Sequence, residues 1–471
     1  MDLADPQQRD RLRDHLGGLV RGRRTICGIG PLAGLVDLIT IVEQAGAPRP
    51  LVLATGLGAG PTPTPEQAEI VLFEVPPTPS VTEDVRRHDA IVRDLPEHVV
   101  REIDAYDPQH EAVWVVGPFI GTDPVLGREV PTGRPASWLA LEDKLLADQV
   151  WDAVGASRAE SRIVAVDPDH LRTASRDLDT GEGVVWSGDA RDGFNGGGDF
   201  VRWVATDEDA ATALTFFAPR CDRVRVMPFL EGVPCSVHGL VLPDGTAVFR
   251  PVELAILRGA GRRFVMGGQG TTWDPPAADR DAMRRLARDV GEHLRATVGY
   301  RGAFGIDGIL GRDGFRPTEL NTRLPAGLAT QARHLDPTLI QLLQLNLLAG
   351  RGPGVDVGSL ESWALPELDA DRYARPVAVS PRRVAEEPVD VPVAWVGEVA
   401  GSPLVRSDDE TGWTVSTGPN PAGTFARLVT PENGLDGIRV ADLNVALMRF
   451  LDRELGTDFG DVQAPPDVRG R

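Results

Sequence analysis

Asp307, Glu319, Asn321 and Arg323 are spaced along one stretch, 302–323, in which Asp313-Gly314 stands between two strand-like runs. Asp-Gly is a hairpin-turn signal. Folding about it sets Asp307 opposite Glu319, with Cβ atoms about 5 Å apart. Alternation along the second run sends Glu319, Asn321 and Arg323 to one face. Two opposed carboxylates repel each other unless a cation lies between them. Asp, Glu and an Asn amide oxygen make a hard oxygen set suited to Mg²⁺. Arg323 then adds a fixed fork of donors beside whatever phosphate the metal holds. A lone acidic hairpin is usually just solvated, but these acids sit within apolar strands and are followed by Asn-Thr-Arg.

A second residue stands out by rarity. Lys144 is the only lysine among 49 lysine and arginine residues. Lysine is a compact point charge that fits between phosphate oxygens where a guanidinium is too wide. The segment Ser137–Gly155 around it reads as an apolar-periodic helix with acids in its first turn and a glycine at its end. The competing reading is a solvated lysine on an exposed helix face.

The elements that must position these residues follow from the apolar runs. The first third reads as α/β, with strands at Arg24–Gly30, Pro50–Thr55 and Ala112–Ile120 and a helix at Leu32–Gln44. Gly28, Gly30 and Gly34 suggest a dinucleotide fingerprint. Pro31 interrupts its spacing and no acid ends the second strand, so the turn reads as structural. The middle region carries strands near Arg162–Val166, Gly183–Trp186, Arg223–Met227, Cys235–Leu242 and Ala247–Leu254. Helical patterns fill Asp207–Phe217, Asp279–Val298 and Pro337–Ala349. Gly350–Gly358 is the expected linker, followed by strands at Val391–Val396 and Gly423–Val429 and a helix at Val440–Leu455. The division expected is 1–135, 136–352 with a lid at about 160–230, and 353–471.

Bulk properties exclude some classes. A chain of 471 residues accommodates two or three domains, and 42% hydrophobic content is ordinary for a globular protein. The net charge of −20 argues against nucleic acid or an anionic membrane as main partner, yet leaves room for a local arginine cluster to bind an anion. Cys27, Cys221 and Cys235 form no CxxC pair, and the eight histidines show no i, i+4 pair, which points away from zinc and disulfides and toward a reducing compartment. The first residues are polar and acidic, and no run of about 18 apolar residues occurs, so the chain reads as cytoplasmic.

Taken together, these motifs resemble the ATP-grasp ligases, over roughly residues 135–350. Asp307, Glu319, Asn321 and Arg323 match that family's metal signature, and Lys144 in Glu-Asp-Lys matches the lysine of the segment entering its ATP-binding unit. The resemblance implies an α/β fold: an ATP-grasp unit with an α+β lid, a Rossmann-like domain before it and a β-rich α+β domain after it. Arg223–Val237 matches the hinge under adenine, with Met227 at its start and apolar walls from Phe229 and Leu230. Pro228 has no N–H, so a main-chain donor must come from Phe229 or Leu230. The loop 187–198, with Gly196, Gly197 and Gly198, matches the flap over the phosphates, where glycines let N–H groups close on oxygen.

The match has gaps. Trp186 stands where relatives carry a second lysine, Met227 where they often carry Glu, and Glu231 is the substitute for the ribose-binding acid. The resemblance implies ATP and two Mg²⁺ or Mn²⁺ ions, an acyl phosphate, and amide formation between a small-molecule carboxylate (an amino acid or derivative) and an amine or peptide acceptor. In it Arg323 steadies the transferring phosphoryl, while Arg258, with Arg250 and Glu253, orients the carboxylate; ordinary ion pairing is the competing reading for these three. The stretch Gly127–Ala136 running into Leu-Glu-Asp-Lys resembles, more narrowly, the pheganomycin-type peptide ligases. The family often forms dimers through its first domain. A thiol or phosphate acceptor, and a non-catalytic nucleotide-binding module, are the rival outcomes.

Overall fold

The short apolar runs near the N-terminus become a parallel sheet in the order Glu69–Leu72, Leu51–Ala54, Thr25–Gly28, Val113–Val116. Its three inner-sequence strands other than Glu69–Leu72 are buried at every position, the pattern of a parallel sheet covered on both faces. The computed structural model describes residues 1–191, 198–396, 404–408, 412–431, 435 and 437–469.

The largest sheet runs Gly314–Asn321, Gly302–Gly311, Val233–Leu242, Val252–Gly259, Arg263–Gly270, Ala374–Arg375. Val233–Leu242 is buried at all 10 positions. The helix Ala277–Val298 covers this sheet with Met283, Ala287, Val290 and Leu294, a stripe at helical spacing. Gly299, at φ +61°, ends that helix in the left-handed conformation that a side chain disfavours.

A smaller antiparallel sheet, Arg162–Ala165, Arg223–Pro228, Val184–Gly188, Val201–Val204, forms the lid. Helices Pro168–Leu178 and Asp207–Phe217 pack on one face of it. Thr206 and Asp209 close a capping box at the start of the second helix.

The C-terminal sheet runs Val377–Ser380, Gly423–Val429, Trp413–Asn420, Val389–Trp395, Leu404–Arg406, with helix Val440–Leu455 against it. Residues beyond 352 also return to the central body. Helix Val357–Ala370 packs on Gly245–Val248 and on helix Ala326–Leu335. Strands Ala374–Arg375 and Val462–Gln463 join the largest sheet. Glu253, fully buried in that sheet, accepts from Arg439 and from the Val440 N–H at the start of the last helix, tying the two sheets together.

Most expected strands and helices occur with shifted ends, but the expected strand Ala247–Leu254 is split into Gly245–Val248 and Val252–Gly259, and the segment around Lys144 is broken. Among the described residues, no helix is long and apolar enough to cross a membrane.

Candidate functional site

The acidic hairpin turns at Arg312-Asp313, one residue before the expected Asp313-Gly314, closes at Gly311↔Gly314, and pairs Asp307 with Glu319 and Gly305 with Asn321 only after a register shift. A bulge follows Asp307, between Asp307 and Gly308. Asn321 Nδ2 donates to Asp307 Oδ2 at 2.9 Å, while its Oδ1 is buried with no partner. Burial first, then the facing Glu319 carboxylate, push Asp307 up to about 6. No cluster of three or more His, Cys, Asp or Glu among the described residues is placed to hold a metal. The donor set here therefore depends on the amide. Two carboxylates and an orphaned amide oxygen fit a hard divalent cation.

The segment bearing Lys144 departs from the continuous helix expected. It is broken into Ala136–Leu139, a 3₁₀ turn Ala140–Glu142 and Ala147–Ala153, with Asp143 extended at φ −65°, ψ 119°. The cause is local. Asp143 Oδ1 accepts from the Leu145 N–H at 2.9 Å and its carbonyl from Leu146 at 2.9 Å, so it starts a new turn instead of continuing the old one. The break leaves Lys144 4% exposed with Nζ 2.8 Å from Glu319 Oε2, which removes the solvated-lysine alternative.

The same break places Glu142, which the sequence reading had not singled out. Its buried carboxylate is gripped by Arg134 and Arg323. Arg134 also donates to the Thr322 carbonyl at 3.0 Å, and the Phe119 ring lies 5.4 Å from the Arg323 guanidinium. Arg323 is thus held from two sides. The only advance signal was that Arg134 and Glu142 both precede the lysine within one short motif.

A cavity of about 240 Å³ opens between the largest sheet and the lid. Lys144, Asp307, Glu319, Asn321 and Arg323 line one part of it, and Met227, Phe229 and Leu230 line the hinge. Gly198 lines it too; Gly196 and Gly197 lie outside the described residues. The Phe229 N–H is taken by the Gly183 carbonyl at 3.0 Å, so of the two expected main-chain donors Leu230 remains. Phe229 is stacked on Trp203, with centroids 4.0 Å apart.

Three assignments need correction. Trp186 faces away from the cavity: its indole is in the lid core beside Phe217 and donates to Ser175 Oγ at 2.9 Å. Strand alternation gives the cavity Val185 and Ser187 instead. Arg258 lines the cavity at its hinge, ion-paired with Glu231 and 5.2 Å from the Phe229 ring, and does not stand with the metal set. Arg250 and Glu253 are structural, the first paired with Asp274 and Asp369, the second with Arg439.

Arg225 was missed. It lies across from Ser187 in register, 1% exposed and lining the cavity. Asp148 takes its Nε and Nη2 at 2.8 and 2.6 Å, while Nη1 rests 3.3 Å from Met227 Sδ. Its signal was the alternation Arg225-Val-Met227, which puts it on the hinge methionine's face. Pro465 was missed as well; it lines the cavity from a tail whose strand Val462–Gln463 pairs with Arg258 and Gly259.

No family model matches the sequence, and no curated protein does. Among solved structures, the chain is similar to phosphoribosylamine–glycine ligase from Thermotoga maritima, at 15% identity over 88% of this chain and 94% of that one, with a TM-score of 0.50. It is similar to L-amino acid ligase from Bacillus licheniformis at 13% identity, over 92% and 98% of the two chains, again with a TM-score of 0.50. Both neighbours are ligases, and the likeness shows the fold: an N-terminal parallel sheet, then the largest sheet, the lid sheet and the C-terminal sheet in the ATP-grasp arrangement.

Proposed function

We propose that the chain is an ATP-dependent, ADP-forming carboxylate–amine ligase that makes an amide or peptide bond through an acyl phosphate. The observation that carries this reading is the single cavity that joins the opposed Asp307 and Glu319, the orphaned Asn321 oxygen, Lys144 and Arg323 to an apolar hinge. In it the hinge binds the base between Met227, Phe229 and Leu230, with the Leu230 N–H as donor. Lys144 and Arg225 hold the phosphates from the floor and the lid. Asp307, Glu319 and Asn321 would hold a divalent cation, which would supply charge neutralisation during phosphoryl transfer.

Phosphoryl transfer needs placement and charge balance more than covalent help. Arg323, braced by Glu142, orients the carboxylate that attacks the γ-phosphoryl, and keeps the resulting acyl phosphate in place until an amine displaces phosphate. The acid is an amino acid or a derivative, the acceptor an amine or peptide. The pheganomycin-type subgroup and specialised peptide metabolism are the finer proposal, supported by the Gly127–Ala136 stretch that delivers Arg134 to Glu142. The three buried free thiols fit a reducing cytoplasm.

The test is a matrix of carboxylates and amines scored by ADP release and product mass. ADP formation that needs both partners, with an amide of the summed mass less water, is the expected result. Turnover with a thiol alone gives the thioester outcome instead. ATP binding with no turnover for any pair makes the chain a nucleotide-binding module.

A further inference from the structure

Buried arginines in this protein are almost always paired with acids: Arg128 with Asp107, Arg134 with Glu142, Arg225 with Asp148, Arg250 with Asp369. Outside that buried set, the half-buried Arg375 and Arg427 gather with the exposed Arg333 beside the N-terminal sheet. Among the described residues, Arg427 has no hydrogen bond or ion pair, and its Nε is buried without a partner. Arg375 makes one hydrogen bond, to Thr330 Oγ1 at 3.3 Å, and no ion pair, with Asp37 acting on it only at longer range. Arg427 pairs in register with Val377, two residues beyond Arg375. Arg333 lies one helical turn from Thr330, and Asp37 is its carboxylate partner. The three cations are close enough that Arg375 is lowered to about 10, by burial first and then by Arg333 and Arg427. In a chain of net charge −20, three gathered guanidiniums sharing one carboxylate mark a place left for an anion.

What faces them is the carboxyl edge of the N-terminal parallel sheet. A Cβ added to Gly60, on the loop after strand Leu51–Ala54, would lie 2.5 Å from Arg427 Nη2. Gly30, Gly56 and Gly117 follow the carboxyl ends of three strands, and a Cβ on any of them would meet nothing within 4 Å. That edge is where open α/β sheets receive ligands. The same edge reaches the reacting end, because Phe119, just past strand Val113–Val116, lies against Arg323. Helix Ala326–Leu335, which carries Thr330 and Arg333, starts three residues after Arg323.

We infer that Arg333, Arg375 and Arg427, gathered where they meet the loops at this edge, bind a carboxylate or phosphate group of the substrate that reacts beside Arg323. The substrate so selected carries an anionic group remote from its reacting end. The link to the reaction rests on the ligase reading; the anion site does not.

The probes are inorganic phosphate and succinate, titrated into the full-length protein at constant ionic strength, with binding read by calorimetry. Wild type is expected to bind at least one of them, and Arg375→Gln and Arg427→Gln to weaken it about tenfold each. Lys144→Ala is expected to leave it unchanged, since phosphate held at the nucleotide cavity would depend on that lysine. The tighter of the two probes names the group. No binding by wild type, or binding that survives both arginine variants, overturns the site. If a variant does not fold, hydrogen exchange on wild type decides: phosphate or succinate must slow exchange at 326–333, 374–377 and 425–428, and unchanged exchange there overturns it. Anion binding without ADP release from any pair defeats the ligase reading alone, and the reverse defeats this site alone.

Discussion

The acidic hairpin and the lid strand Val184–Gly188 meet the same cavity, yet they were unequally open to inference. In the hairpin, a short turn near Asp313 brings the two acid-bearing strands together, and a bulge after Asp307 completes the pairing with Glu319. In the lid strand, Val184, Val185 and Trp186 are all large and apolar, so the sequence does not tell the core face from the cavity face. The lid helices settle that choice by burying Trp186 against Phe217. Local turns encode chemistry in short sequence. Strand faces in a two-sided layer are decided by what packs on them.

The largest expected effect tests the hairpin. Glu319→Ala removes a carboxylate of the proposed cation site and the partner of Lys144 at once, and ADP release is expected to fall by about 10³-fold or more. Turnover near wild type in that variant, with its fold checked by circular dichroism, would dissolve the contrast, because the hairpin would then be no more chemical than the lid strand. Next comes Glu142→Gln, which leaves every cavity residue in place but releases Arg323 from one side. An expected drop in kcat of about 10- to 100-fold, with KM for ATP nearly unchanged, separates positioning from nucleotide binding. An equal rise in KM would place Arg323 on the ATP side instead.

How much was legible follows the same division. The α/β and lid strands and the acidic hairpin were readable because each rests on a turn or an alternation confined to a few residues, whereas the bulge that completes the Asp307–Glu319 pairing was not. The break at Asp143 was not, because apolar periodicity runs through it and only the side chain's own hydrogen bonds stop the helix. Arg225 was hidden for another reason. Its role depends on Asp148, 77 residues earlier, and on a register with Ser187 that only the folded lid creates. Arg258 and Glu231 were each given a separate task, yet the fold spends them on each other.

Arg225 supplies the third prediction. Replacing it alone removes the main partner of the buried Asp148, which keeps only Ser161 and Arg158 at 4.0 Å, so the double variant Arg225→Met with Asp148→Asn is the cleaner probe. Its KM for ATP is expected to rise about tenfold with the melting temperature nearly held, if the lid's cation works through the nucleotide. An unchanged KM would assign the pair to lid stability alone.

The smallest effect is the most direct probe of the lid strand. Trp186→Phe keeps an aromatic ring in the lid core but deletes the bond to Ser175, and is expected to cost about 1 kcal/mol of stability. KM for ATP should stay within about twofold, because the indole points into the core and not at the cavity. A change of tenfold or more would mean that the lid turns its other face to the nucleotide when it closes. The reciprocal variant fixes the direction of the argument. Val185→Lys puts a cation on the cavity face of the same strand, one position from the tryptophan, and is expected to lower KM for ATP a few-fold. If instead Trp186→Lys did so without unfolding the lid, the strand's inner face would be the nucleotide face.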